Sequence, residues 1–269
     1  MTKVIEPTRV LITVMTYPHP SKNYTELVCT AGVTESGEWV RLYPIDYRYR
    51  PTYQRFHKYQ WVELELEPRG GKNDPRKESR KPCLETIRIL GEPIPPDGDW
   101  RKRREIIDRV EERTVAELER LYDAEKVSLG LVRPDEVMDL EIRPADPEWK
   151  PEWQAVLQQH NLFEGAPKEL RKLPYSFHYV FRCKDDPKPR RAMIEDWELG
   201  TLFLKESARL GSDEAAAQSV KAKYLTQICS AGRDTRFYMG TRFPYNTWLV
   251  LGVFWPPKDR ALPLFDATL

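Results

Sequence analysis

Short runs of β-forming residues, separated by turn residues, dominate the first ninety positions of the chain. The clearest spans residues 61–66, where Val62, Leu64 and Leu66 alternate with acidic residues, as a half-buried strand requires. Similar runs occupy residues 9–15, 26–33, 39–43, 60–67 and 84–90. A Ser-Gly turn at residues 36–37 predicts a hairpin between the second and third runs. So many short strands close together predict a small barrel or a strongly curved sheet.

A helix is predicted after the proline-rich residues 92–99. Asp99 is a candidate N-cap for a helix over residues 99–124, in which apolar residues recur at helical spacing. The positions of that stripe are Ile107, Val110, Thr114, Leu118 and Leu121. A strand within residues 137–142 and a short helix over residues 152–159 are expected in the segment that follows.

The last hundred residues predict a second lobe with the element order βααββ. We expect a strand over residues 176–183, a turn at 185–189 and a helix over 191–209. A second helix over 213–229, capped by Ser212, precedes strands at 235–241 and 247–254. The predicted fold class is α+β, with a β-rich, barrel-like N-terminal lobe (residues 1–98), a helical and extended connector (99–173) and an α+β C-terminal lobe (174–269).

The composition indicates a folded chain with no overall electrostatic bias. Its 269 residues are 40% hydrophobic, and 43 lysines and arginines against 42 acidic residues leave a net charge of +1, so any charged binding surface must be local. The N-terminal residues do not resemble a secretory signal, and no apolar run approaches the roughly 20 residues of a membrane span. These features predict a cytoplasmic protein without a membrane partner.

Common catalytic and metal-binding motifs are missing from the sequence. Its four cysteines are widely separated and form no CxxC pair, which argues against a zinc ribbon or a disulfide framework. The four histidines form no HxH or HExxH pattern. The sequence also has no Walker A, GxSxG or GxGxxG motif, so simple NTPase, hydrolase and dinucleotide-binding classes are not supported.

Residues 47–59, with the sequence YRYRPTYQRFHKY, form the strongest candidate binding feature. Cations alternate there with aromatic rings, and residues 47–81 contain ten lysines and arginines against five acidic residues, a net charge of +5. Cations suit phosphates and aromatic faces suit unstacked bases, as in single-strand binders. The other interpretation is that the rings pack on the barrel while the arginines are solvated.

Further basic residues follow later in the chain, in the clusters RKRR (residues 101–104) and KPRR (188–191) and in the loop after the predicted strand 235–241. They extend the predicted nucleic-acid surface if folding brings them beside the first segment. The complete set of predicted nucleic-acid-binding residues is Arg48, Tyr49, Arg50, Tyr53, Arg55, Lys58, Arg190, Arg191 and Arg242.

An acidic cluster suggests a different activity. Glu195 and Glu198 lie three residues apart in the predicted helix 191–209, and Asp186 lies in the turn before it. On one helix face, such carboxylates suit Mg²⁺ or Mn²⁺ and metal-dependent phosphodiester cleavage. The other interpretation is that they complement the helix dipole and pair with nearby arginines.

Three hypotheses follow for the function. The leading one is a nucleic-acid-binding protein, for RNA or DNA, that uses the basic-aromatic surface and no cofactor. The second is a nuclease that uses a divalent metal and the carboxylates Glu195, Glu198 and Asp186. The third is a non-catalytic subunit whose exposed aromatic residues bind a protein partner.

Overall fold

The computed structural model describes residues 7–22, 24–68, 74–160, 169–184 and 186–258. They form a mixed α/β fold. The strands are β1 (Thr8–Met15), β2 (His19–Ser21), β3 (Thr25–Leu27), β4 (Thr30–Val33), β5 (Trp39–Leu42), β6 (Trp61–Leu64), β7 (Leu66–Pro68), β8 (Ser79–Pro82), β9 (Arg88–Leu90), β10 (Leu129–Val132), β11 (Glu136–Pro144), β12 (Tyr175–Cys183), β13 (Asp186–Met193), β14 (Arg236–Thr241) and β15 (Trp248–Phe254). The helices are α1 (Arg101–Ile107), α2 (Val115–Glu125), α3 (Pro151–His160), α4 (Trp197–Leu210) and α5 (Asp213–Lys221).

The N-terminal strands build a curled, seven-stranded half-barrel sheet, in the order β7-β8-β5-β4-β1-β6-β9. Strand β1 lies near its centre and pairs antiparallel with β4 and β6, whereas β5 pairs in parallel with β8. The curved sheet that the sequence predicts is therefore present. Strand β8 was not among the predicted strands.

Strand β1 is covered on both faces. Val10 and Ile12 belong to one apolar core, and Leu11 belongs to another. The pairing with β4 shifts between Ile12 and Val14, and beyond this irregularity Val14 joins the core of Leu11. An extra residue in one strand reverses which side chains face each side. The irregularity explains how one strand supplies two cores.

The C-terminal residues form two three-stranded sheets, β10-β14-β15 and β11-β12-β13, packed with α4 and α5. Alternate residues of β12 point inward, beginning with Phe177 and ending with Cys183. A second core joins these elements to the half-barrel, since Leu11 of β1 shares it with Tyr238, Leu251 and Phe254 of β14 and β15. This shared core sets the position of β14 against the half-barrel.

The single helix predicted over residues 99–124 is wrong, because two helices, α1 and α2, occupy this region. Arg113 donates its backbone N–H to the carbonyl of Leu131, which takes the chain out of helical geometry. Thr114 then caps α2 in a capping box with Glu117. Ile107, Val110 and Leu118 are nevertheless buried, as the apolar stripe predicts.

The helix predicted over residues 191–209 is also wrong at its start. Residues up to Met193 form β13, an edge strand paired with β12, and α4 begins only at Trp197 with Asp196 as its N-cap. An edge strand tolerates prolines such as Pro187 and Pro189, which cannot donate to a neighbouring strand. The C-terminal element order is therefore ββααββ. Ser212 caps α5 as predicted, and a π-helix at Ala222–Gln227 continues it.

The capping box of α2 allows a direct test of its role in stability. In Thr114→Ala, Glu117 loses the side-chain oxygen that accepts its backbone N–H, so we expect the free energy of unfolding to fall by about 1 kcal/mol in urea titrations. The matched control is Thr52→Ala, which removes an exposed hydroxyl and should change this free energy by less than about 0.5 kcal/mol. Equal losses in both variants would contradict the role of the capping box.

Candidate functional site

The aromatic rings of residues 47–59 mostly point into the protein. Tyr47, Phe56 and Tyr59 are buried, and the Tyr47 hydroxyl donates to the carbonyl oxygen of Phe56. Tyr49 is half-buried, whereas Tyr53 is 73% exposed. The segment therefore offers one strongly exposed ring for stacking.

The cations of the same segment have partners inside the protein. Arg48 lies 3.0 Å from Glu26, and Arg50 lies 2.9 Å from Asp46. Arg55 donates to the backbone carbonyls of Arg48 and Arg50. These contacts agree with the interpretation in which the segment packs on the sheet.

Lys58 links the half-barrel to the C-terminal part. Its ammonium group lies 2.6 Å from Glu198 and 3.5 Å from the buried Asp196. Burial lowers the pKa of Lys58, but the two carboxylates outweigh this effect and raise it above its usual range. Burial also raises the pKa of Asp196 to about 6, with Lys58 opposing the shift. Lys58 is therefore a buried structural cation and offers little charge to an outside ligand.

The other predicted basic residues lie in different places. Arg190 on β13 pairs with Asp186 and Glu119, and Arg191 pairs with Glu141 on β11. Arg242 follows β14, and its side chain lies 3.4 Å from Glu195. Arg242 therefore lines the cleft described below, whereas Arg190 and Arg191 line a separate pocket.

The three predicted catalytic carboxylates have different partners. Asp186 contacts Arg190, Glu195 contacts Arg242 and His19, and Glu198 contacts Lys58. Glu195 precedes α4, so it does not share a helix face with Glu198. In the part of the chain that the structure describes, no three His, Cys, Asp or Glu side chains are grouped so that they could hold a metal ion.

A cleft of about 680 Å³ lies between the half-barrel and the C-terminal part. The β2–β3 hairpin, β5, the residues before β8, helix α3 and the β14–β15 loop contribute its walls. Strand pairing with β4 and β8 places Arg41 of β5 on the face opposite Val40 and Leu42, toward this cleft.

Arg76 and Asp74 form a buried ion pair in the floor of the cleft. Nε and NH2 of Arg76 donate to the two oxygens of Asp74, each at a distance of 2.8 Å. NH1 of Arg76 donates to the carbonyl of Thr241. Ser79 donates to the same carboxylate. Burial raises the pKa of Asp74, but the bonds from Arg76 outweigh this and hold it below its usual value. Arg76 is thus fixed in orientation and locally neutralised.

Arg41 is a buried cation with a different environment. It is 3% exposed, and its NH2 donates to the carbonyl and hydroxyl oxygens of Ser128. Its Nε has no hydrogen-bond partner, and it forms no ion pair, within the described part of the chain. Glu78 is bound by the N–H and hydroxyl groups of Ser128, behind Arg41.

The environment of Arg41 lowers the pKa of its guanidinium group. Burial, followed by repulsion from Arg76, lowers it to about 10. Burial raises the pKa of the neighbouring Cys29 thiol, which therefore stays neutral near pH 7 and cannot balance the guanidinium charge. Gly240 provides room for the group, since a Cβ there would lie 3.2 Å from NH2 of Arg41. Arg41 thus keeps an incompletely compensated charge at the cleft floor.

The rim of the cleft combines cations and aromatic rings. Tyr245 is 66% exposed, Phe243 is 39% exposed, and Lys22 lies 6.0 Å from the ring centre of Trp153. His19 lies 3.9 Å from Glu195, and its partial burial lowers its pKa, so it is neutral near pH 7. Aromatic faces and cations are thus combined here, as the sequence predicts for residues 47–59, but at a different place.

Sequence reasoning missed Arg41 and Thr241 as site residues and counted Arg76 and Asp74 only for their charge. One signal was available, since Arg41 lies between two apolar residues in the strand WVRL. A cation in such a run either lies exposed on an edge strand or is buried with an interaction partner. Only the pairing of β5 on both sides distinguishes these cases.

Glu26, the partner of Arg48, makes stability depend on pH. Burial raises its pKa from 4.5 to about 7, and Arg48 only partly opposes this. The folded state therefore binds the proton more tightly, and this stabilisation is present below pH 4.5 and is lost as the pH rises through 7. Relative to Glu26→Gln, the free energy of unfolding of the wild type should decrease by roughly 3 kcal/mol between pH 4.5 and 8. Urea titrations across this range measure the difference.

The matched control for Glu26 is Glu85→Gln, which changes the 85% exposed carboxylate that pairs with Arg50. It controls for replacing a glutamate by glutamine at an exposed position. A stability difference for Glu26→Gln that does not change with pH would contradict the assigned shift.

No curated protein matches the chain. A solved structure described as "Structure of murine DNA binding protein bound with ds DNA" aligns over 97% of this chain and 100% of its own, with 7% identity and a TM-score of 0.32. No helix in the described ranges has the length and apolarity to cross a membrane. Residues 6–109 match a family model described as a domain of unknown function, DUF8758. Residues 111–268 match the model of another domain of unknown function, DUF8757, and the chain belongs to that family.

Proposed function

We propose that the protein binds nucleic acid through the cleft, with a phosphate group on Arg41. The observation that carries this proposal is the guanidinium of Arg41, which is 3% exposed and lies beside Arg76 without an ion pair in the described residues. A buried charge is costly unless it is paired and hydrogen-bonded. A bound anion supplies both the charge and the acceptor.

Phosphate is the anion that best fits the donors of the floor. Arginine binds phosphate through several N–H groups in fixed geometry, and Nε of Arg41 has no partner among the described residues. The hydroxyl oxygen of Thr241, also without such a partner, lies in the lining of the same cleft. Both groups are buried in the floor, and a ligand that bound them would break no described hydrogen bond.

The rim supports a nucleic-acid ligand over a small inorganic anion. Tyr245, Phe243 and Trp153 line the cleft together with Lys22 and Arg242. Exposed rings stack on unpaired bases, and cations at the mouth attract the neighbouring phosphates. The cleft thus combines the two interactions that single-strand binders use.

The surface predicted at residues 47–59 has less support as the main contact. Its cations bind protein groups, and its outward side chains are chiefly Tyr53 and Arg55. These two side chains remain candidates for a secondary contact. The proposed metal-dependent nuclease has less support because Asp186, Glu195 and Glu198 contact different cations.

Binding of labelled single strands to matched variants tests the proposal. Fluorescence anisotropy would use RNA and DNA oligonucleotides that carry phosphates at both ends, across a salt series. We expect Arg41→Gln to weaken binding roughly 10- to 100-fold, which corresponds to losing a hydrogen bond to a charged group, and to reduce the salt dependence. Urea titration would verify that the variant is folded.

Two further variants separate the competing surfaces. Arg9→Gln removes an exposed cation outside the cleft and should leave affinity within about twofold. The double variant Tyr53→Ala/Arg55→Gln removes the exposed aromatic ring and the exposed arginine of residues 47–59. If it abolishes binding while Arg41→Gln does not, the binding surface is residues 47–59 and the cleft proposal fails. Absence of binding by the wild-type protein would overturn both and favour a protein-interaction subunit.

A further inference from the structure

The depth of Arg41 limits which phosphates can reach it. Arg41 and Asp74 are 3% and 1% exposed, and the neighbouring Thr241 is 2% exposed. A phosphate that contacts Arg41 or Thr241 must therefore enter the cleft. An internal phosphodiester can enter only if the strand leaves the cleft on both sides of it. A terminal phosphate can enter when the strand leaves the cleft on one side alone.

The charge of the cleft favours a doubly charged phosphate. Its lining contains four cations, Lys22, Arg41, Arg76 and Arg242, against the two carboxylates Asp74 and Glu195. With His19 neutral, the excess is +2. A phosphomonoester carries about −1.5 to −2 near neutral pH, whereas a phosphodiester carries a single negative charge. The carboxylate of Glu78 accepts hydrogen bonds from Ser128 behind the floor and reduces the field at Arg41, although Glu78 does not itself line the cleft.

The available donors fit the terminal group as well. A monoester presents three non-bridging oxygens. Arg41 and Thr241 both line the cleft, where Nε of Arg41 and the hydroxyl of Thr241 are buried without a partner in the described ranges. A volume of about 680 Å³ is typical of sites for small organic molecules, about 300–1,000 Å³, so the cleft has room for one nucleotide.

We propose that the cleft binds the terminal nucleotide of a nucleic-acid strand, with its phosphomonoester on Arg41 and Thr241 and its base against the aromatic rings of the rim. This inference rests on the proposed function and specifies its ligand. Phe243 and Tyr245 lie on the loop that follows Thr241, so the same loop connects the phosphate site to the stacking rings. The protein then distinguishes phosphorylated ends from hydroxyl ends.

The test compares oligonucleotides of one sequence that differ only at their ends. They carry a 5′-phosphate, a 3′-phosphate or hydroxyl groups alone, with the fluorophore attached internally. A hydroxyl-ended strand that is one nucleotide longer controls for the added charge, since its extra phosphate is a diester. For the wild type we expect one phosphorylated end to improve affinity at least 10-fold over both hydroxyl-ended strands.

Variants test whether the cleft floor causes the preference for a phosphorylated end. In Arg41→Gln, the affinities for phosphorylated and hydroxyl-ended strands should differ by no more than about twofold. Thr241→Val, which keeps the size of the side chain, should reduce the preference for the phosphorylated end several-fold. Arg9→Gln should retain the full preference. A mononucleotide that carries the preferred phosphate should compete with the strand, whereas the matching nucleoside should not.

The outcomes distinguish the two proposals. If wild-type protein binds all ends equally and Arg41→Gln weakens all of them equally, the cleft binds internal nucleotides, so this inference fails and the proposed function stands. If the end preference is unchanged in Arg41→Gln, the phosphate is recognised elsewhere and the inference fails. If no strand binds, both proposals fail.

Discussion

Burial of β1 on both faces is the constraint on which the rest of the structure depends. Val10 and Ile12 fill the core inside the half-barrel, while Leu11 and Val14 pack against β14 and β15. A strand with one solvated face could not join the two parts in this way. The irregularity between Ile12 and Val14 matters because it directs both hydrophobic sets to cores rather than to solvent. The position of β14 over β5, and hence the cleft, follows from this packing.

The cleft floor contains charges that a stable core alone does not require. Replacing a buried ion pair by apolar residues is often neutral or stabilising, so the pair Arg76–Asp74 is weak evidence for a stabilising role. Arg41 is still less favourable, because its described contacts are with the neutral groups of Ser128. Such an arrangement is typical of sites that are organised for a ligand and that accept a cost in stability.

The molecule uses arginine and lysine in two distinct ways. Arg48, Lys58 and Arg190 neutralise carboxylates of the protein itself and connect separate elements. Arg41 does not have this role among the described residues. Arginines and lysines of this chain therefore have different environments, and only their contacts in the folded structure distinguish them. This is why the net charge of +5 over residues 47–81 overstated the exposed charge of that segment.

The sequence by itself determined the strand-rich N-terminal part, the curved sheet, the cap of α5, and the buried apolar stripe that includes Ile107 and Leu118. These features depend on interactions between residues close along the chain, or on alternation, and both are visible in one dimension. The proposed boundaries at residues 98 and 173 remain predictions. Tertiary structure decided that β13 pairs with β12, that the helical region breaks between Ile107 and Val115, and that Arg41, Arg76 and Thr241 line the same cleft. Those outcomes depend on partners distant in sequence, such as Leu131 for Arg113 and Ser128 for Arg41, and no local pattern specifies them.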